Sequence, residues 1–348
     1  MRAPITIGEP LGKLYIRGST VQTLASLIAE RIQAERATLY GLFQNANGDM
    51  TRQPGSNTAT AEDFGMAYWF DRTLPDAKRA QLAERLAYWC DETKDQHDGM
   101  PVPYTITYST GSVVSFNNSQ HALWGAKLFV EHYVHTGEQV WLDRAVEICD
   151  WVIANMLTGT SPNRRFFRLT NQNAISIKTI SSADTLLRID ALIGKPEYAT
   201  VFAENLAWVQ ANMLESTTRF FTDADSNTLA TTTETQQHTN LEMIDGLTDA
   251  YNWTGDASYL TLAGDMLNTW SSVTPPGGMT RFQQAFSTIR LAKPYDAEGW
   301  YQLGLSIRNG DGGFPPHSAP GASNVFAHTY LMGYLHYSDN PEMILTHP

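Results

Sequence analysis

Cysteine is nearly missing from this chain, with two in 348 residues, Cys90 and Cys149. Two thiols make neither a disulfide scaffold nor a zinc framework. Each stands close to a tryptophan on an expected helix face, so both read as buried free thiols. Basic residues are scarce too, 24 against 36 acidic ones, for a net charge of −12. That excludes the basic face that non-specific nucleic-acid binding needs, though a local Arg cluster can still hold an anionic sugar. No apolar run approaches the roughly 18 residues of a membrane span. Pro and Gly interrupt the opening MRAPITIGEPLG, where a secretory signal would be apolar. The expectation is a protein without a membrane partner, cytoplasmic by default. A Walker loop, a dinucleotide fingerprint, His-Glu-x-x-His and Gly-x-Ser-x-Gly are all absent. Nucleotide, metalloprotease and esterase chemistry lose support, and no cofactor or metal site can be argued. Oligomeric state leaves no trace.

Tryptophan, by contrast, is placed with a period. Trp89, Trp151, Trp208 and Trp270 follow one another at intervals of 62, 57 and 62 residues. Gly137 is followed by Trp141, Trp151 and Asn155-Met156; Gly194 is followed at the same offsets by Tyr198, Trp208 and Asn212-Met213. Gly255 precedes Tyr259 and, one residue late, Trp270. A period near sixty means repeated structural units. Within 119–157 the apolar positions Ala122, Leu123, Ala126, Leu128, Phe129 and Tyr133 give one broad helix face. Gly137 stops that helix as a left-handed C′ residue would. Trp141, Leu142, Ala145, Ile148, Trp151, Val152 and Met156 then form a single stripe on a second helix. The same reading holds for 180–214 and 237–273, and 60–72 with 76–94 makes another pair. Long helices are also expected over 19–44, 296–308 and 322–337.

Short turns within pairs force antiparallel neighbours. The first helix of each pair is the more apolar, so it faces inward and the second outward. Eleven or twelve such helices curled into a ring give an all-α (α/α)6 toroid over 19–340. Residues 1–18 form an arm or short strand, and 341–348 a tail. An open solenoid is the alternative. The long loops 95–118, 158–179, 215–236 and 274–295 precede inner helices and so gather at one end, where function is expected.

That end is rich in amides, aromatics and carboxylates, the lining a sugar needs. Asn118 and His121, with Trp124, open one inner helix; an Asn cap over a buried His and Trp is the plainer account. Glu62 and Asp63 follow Thr60, where a first-turn acid favours the helix dipole. Asp184 lies among small and apolar residues one turn into an inner helix, and a carboxylate there needs a partner or a task. Gln237, His238 and Glu242 start another. Tyr108 sits in loop 95–118 and can stack on a ring. Arg164 and Arg168 flank an aromatic pair, where solvated arginines or forks for an anionic sugar are both open. Asp311 belongs to Asp-Gly-Gly-Phe-Pro, a strong turn signal.

Asn117, Asn118 and Trp124 resemble the Asn-Asn-His…Trp helix start of the (α/α) alginate lyases, with His121 displaced by two residues. In those enzymes Asn and His neutralise the uronate carboxylate. Residues 237–242 resemble the helix start where N-acylglucosamine 2-epimerases place a His and a Glu. Asp311-Gly312-Gly313-Phe314-Pro315 resembles turns of toroidal cyclases and polysaccharide lyases. The helix-pair pattern over 60–340 is similar to that of endo-α-1,6-mannanases, which carry adjacent aspartates at an inner-helix start; this chain has Glu62-Asp63 instead. Together these resemblances imply a carbohydrate-active enzyme on an oligo- or polysaccharide. As a glycoside hydrolase it would draw an acid/base pair from Asp184 and one of Glu62, Asp63 or Glu242. His121, His238, Asn118 and Gln237 would then hold hydroxyls. A uronate lyase or sugar epimerase with a His or Tyr base is the alternative, and a non-catalytic carbohydrate-binding protein the third.

Overall fold

The computed structural model describes residues 14–17, 20–97, 99–114, 118–167, 174–225, 228, 230–231, 236–293, 295–315 and 322–339. Among them are twelve α-helices. Six form an inner ring: α2 (Ala61–Phe70), α4 (Ser119–Thr136), α6 (Ile180–Ile193), α8 (Gln237–Thr254), α10 (Gly278–Arg290) and α12 (Val325–Asp339). Six lie outside: α1 (Leu24–Phe43), α3 (Asp76–Gln96), α5 (Gln139–Asn155), α7 (Pro196–Asn212), α9 (Ala257–Trp270) and α11 (Ala297–Leu305). Each inner helix packs on the next, and α12 returns to α2. The ring is therefore closed, and the fold is an (α/α)6 toroid. No helix among the described residues is long and apolar enough to cross a membrane.

The sequence pattern explains the layering. All ten residues of α2 are buried, whereas α5 buries only Leu142, Ala145, Ile148, Cys149 and Val152. Gly137, Gly194 and Gly255 end α4, α6 and α8 with φ of 73°, 70° and 72°. A side chain there would clash with its own backbone, so glycine sets the tight inner-to-outer turn. Inner helices run parallel and at fixed height. Ser182 donates to the Gln120 carbonyl (3.1 Å), and Asp245 on α8 accepts from Ser287 on α10 (3.2 Å). Gly246 lets α8 touch α6 so closely that an added Cβ would lie 2.1 Å from the Ile180 oxygen.

The periodic tryptophans do sit on outer helices. Arg165, in the hairpin after α5, lies 4.9 Å over the Trp208 ring of α7. Arg219, in the hairpin after α7, lies 4.7 Å over Trp270 of α9. Beside each arginine a buried phenylalanine, Phe166 or Phe220, has its backbone N–H held by Asn205 or Asn240. Cys90 and Cys149 are buried free thiols, raised by that burial.

Two expectations change. Residues 274–295 are not a loop, because they contain α10. Its inward face carries Thr280, Gln283, Gln284, Ser287 and Thr288, all buried. The helix also buries Met279, Phe282, Ala285 and Phe286, an apolar stripe at helical spacing that the reading as a loop overlooked. The N-terminal segment is a hairpin of Leu14–Arg17 with Thr20–Thr23, and α1 starts only at Leu24. The tail 341–348 lies outside the described residues.

Candidate functional site

Because the inner helices are parallel, their first turns meet at one end of the ring. A three-stranded sheet of Thr58–Ala59, Thr105–Thr107 and Ser112–Val114 lies ahead of α2 and α4. The pair Ala174–Ser176 with Asp223–Asp225 lies ahead of α6 and α8.

At this end Glu62 of α2 faces the start of α4. One carboxylate oxygen accepts from the Gln120 amide at 2.6 Å. The other meets Arg52 at 3.0 Å and His121 Nε2 at 3.1 Å. Burial alone would raise this acid. His121, then Arg52 and Lys178, override it and hold Glu62 down at about 2. Tyr104 stacks on the imidazole, with centroids 5.3 Å apart. His121 Nδ1 is buried and has no hydrogen-bond partner among the described residues.

Across the ring, α8 carries Glu242, Asp245 and Asp249 at a spacing that puts them on one face. Asp245 is 5% exposed. Its Oδ1 accepts from Ser287, and its Oδ2 has no partner among the described residues. Burial pushes Asp245 up to about 8; Arg290 opposes this, and Asp249 and Glu242 add to it. Tyr330 of α12 points into the same space. Burial raises its phenol, and Asp245, Glu242 and Glu62 raise it further. One hydroxyl thus senses carboxyls from both α2 and α8. The arrangement holds one carboxyl protonated and another ionised at neutral pH, the division that acid/base chemistry requires.

Asp184 plays a different part. It is sealed from solvent, taking Lys127 at 3.0 Å and the Trp253 indole N–H at 3.1 Å. Lys127 also bonds Asp249 at 2.7 Å and lies 4.0 Å over the Trp69 ring. Arg290 completes the cluster through Asp249. Asp184 is therefore a member of a buried ionic core that Asp245 also adjoins, but both of its oxygens are taken, whereas Asp245 keeps one without a partner among the described residues. Asp63 is turned away from the mouth. It accepts from the Thr60 N–H (2.7 Å) and Arg52 Nε (3.0 Å), so it closes the cap of α2.

The other expected residues divide in the same way. Asn118 caps α4, accepting from Gln120 N at 3.1 Å, and Trp124 lies one turn below. Gln237 donates to the Val273 carbonyl at 3.2 Å and leaves its Oε1 without a partner among the described residues. His238 and Glu242 share the start of α8. Tyr108 bonds the Met50 carbonyl and packs on Trp89, away from this group. Arg164 is pulled outward by Glu204 on α7 at 2.5 Å. Asp311 folds its own turn, accepting from Gly313 N (2.9 Å) and Ser323 (2.7 Å). Arg168 lies outside the described residues. Sequence reasoning missed Asp245 and Tyr330. The stripe Glu242, Asp245, Asp249 on an inner helix was the available signal. No group of three His, Cys, Asp or Glu among the described residues is placed to hold a metal ion.

No family model matches the chain, and no curated protein matches it by sequence. Solved structures do match. An α-1,6-mannanase from Salegentibacter sp. aligns with TM-score 0.66 and 10% identity, covering 91% of this chain and 99% of that one. The same enzyme, made inactive at two consecutive aspartates, was solved with α-1,6-mannotriose. A family 76 mannosidase from Bacteroides thetaiotaomicron aligns at 0.64 and 10% identity, covering 91% and 99%. An unsaturated glucuronyl hydrolase specific for heparin aligns at 0.63 and 11% identity, covering 92% and 100%. The chain shares their toroidal fold.

Proposed function

We propose that this chain is a glycoside hydrolase acting on an oligo- or polysaccharide bound at the mouth of the ring. One observation carries the reading: two carboxyls on facing inner helices with opposite protonation, Asp245 up at about 8 and Glu62 down at about 2. Asp245 is the general acid and gives its proton to the glycosidic oxygen as the bond breaks. Glu62 already accepts from Gln120, Arg52 and His121, so little of it is free to attack carbon. As the ionised partner it is the base instead, and takes a proton from the incoming water. Glu242, Gln237 and Asn118 are placed to receive hydroxyls, and Trp124 to line the ring face. No cofactor is needed for these steps. The mannanase neighbours make α-1,6-mannan the first substrate to try.

The test is a polysaccharide panel read for new reducing ends and for ultraviolet absorbance. The expected result is reducing ends without absorbance. Asp245→Asn and Glu62→Gln are expected to lose about 10²–10⁴ in rate. Full activity in Asp245→Asn would overturn the assignment. The free Nδ1 of His121 also favours a second reading, proton abstraction by a lyase or epimerase. A lyase acting on uronates would show as absorbance, an epimerase as neither signal.

A further inference from the structure

Five ionisable side chains are packed together in the middle of the ring: Lys127, Asp184, Asp245, Asp249 and Arg290. Three are acids and two are bases; Arg72 acts on Asp249 and Glu242 on Asp245 from the edge of the group, and these two offset each other. Fully ionised, the group would bury an uncompensated negative charge, which is costly in a site of low polarity. One carboxyl therefore keeps a proton, and the hydrogen bonds decide which.

Asp249 takes both cations, Lys127 at 2.7 Å and Arg290 in close contact. Asp184 takes Lys127 at 3.0 Å and the Trp253 N–H at 3.1 Å. Asp245 receives only the Ser287 hydroxyl at 3.2 Å. Arg290 is near enough to donate to the backbone carbonyl of Asp245 (3.3 Å), yet its other nitrogen goes to Asp249. The charged or titratable groups facing Asp245 are Glu242 and Asp249 from α8, Arg290 from α10 and Tyr330 from α12. Glu242 adds a negative charge without supplying a donor. Asp245 is thus the worst-served anion of the three.

We propose that Asp249 is a positioning residue: by engaging Arg290 it withholds the guanidinium from the Asp245 carboxyl and so keeps the catalytic proton on it. This rests on the reading of Asp245 as the acid. It assigns a role to the ionic core beyond holding helices together, and it makes the pH limit of activity a property of residues that never touch substrate.

The experiment follows the infrared carbonyl stretch of protonated carboxyls as pH is raised, with Asp245→Asn identifying the band. In Asp249→Asn the guanidinium is released to Asp245, and its midpoint is expected to fall by about 1–3 units. The basic limb of the pH–rate profile should fall with it. Ser287→Ala, a milder change that leaves the ion pairs intact, removes the one donor and should move the midpoint upward. It carries the test if Asp249→Asn does not fold. An unmoved midpoint overturns the proposal. A midpoint that moves in a protein without glycosidase activity upholds the network and overturns the hydrolase reading. Hydrolysis with an unmoved midpoint does the reverse.

Discussion

Replacing Asp245 by Asn should make the protein more stable at neutral pH while removing its activity. An unfolded Asp titrates near 3.9. In the folded ring burial pushes Asp245 up to about 8. The folded pKa lies above the unfolded one, so between the two the unfolded chain binds fewer protons and stability falls as pH rises. Below about pH 4 both states hold the proton and nothing is lost. At pH 7 the penalty is about three units, or roughly 4 kcal/mol. An amide of the same shape carries none of it. The amide cannot better the contact with Ser287, so part of the gain is returned, about 1 kcal/mol. The measurement is urea unfolding of both proteins across a pH series. The gap between them should be near zero or slightly unfavourable at pH 4 and should widen in favour of Asn up to pH 7.5. A gap that does not change with pH would refute the reasoning, because the penalty would then not come from ionisation.

Other consequences can be tested directly. Lys127→Met leaves Asp184 and Asp249 short of a cation and should cost about 3–5 kcal/mol in unfolding free energy. Asp184→Asn should keep most activity, since both Asp184 oxygens are bonded inside the ring to Lys127 and Trp253; loss of activity in a folded protein would restore it to the chemistry. Gly246→Ala puts a methyl 2.1 Å from the Ile180 oxygen and should cost about 2 kcal/mol or more by parting α6 from α8, read as a drop in melting temperature. Arg164→Ala should leave saccharide affinity unchanged in calorimetry, because Arg164 is spent on Glu204.

The repeat was legible because its markers are steric. Gly137, Gly194 and Gly255 are demanded by a left-handed turn, and the outer tryptophans by a one-sided helix against a full interior. Such demands show in one sequence. The site was only half legible. Glu62, His121 and Gln237 lie in first turns, where a loop-to-helix boundary points to them, and Glu242 follows in the second. Asp245 and Tyr330 lie deeper, and only the closure of α12 on α2 brings Tyr330 into the same space. Asp184 stood out as a polar residue among apolar ones. Its partner Lys127 comes from another repeat 57 residues earlier, so no local pattern announced the pairing. α10 was overlooked although it carries an apolar stripe, Met279, Phe282 and Phe286, because buried amides and hydroxyls at Gln283, Gln284, Ser287 and Thr288 lie between those positions.

The joint between α1 and α12 has a consequence for how the chain is made. Every other outer helix packs on an inner neighbour close in sequence. α1 packs on α12, and Glu35 reaches His328 at 3.0 Å across 293 residues, as Asp71 reaches His336 at 3.0 Å across 265. On the ribosome, α1 emerges before the other eleven helices described and waits longest for its partner. A chain stopped before Val325 would leave α1 and α2 with an open flank and Glu35 without its histidine. A permuted chain in which α1 follows α12 would turn the longest wait into the shortest.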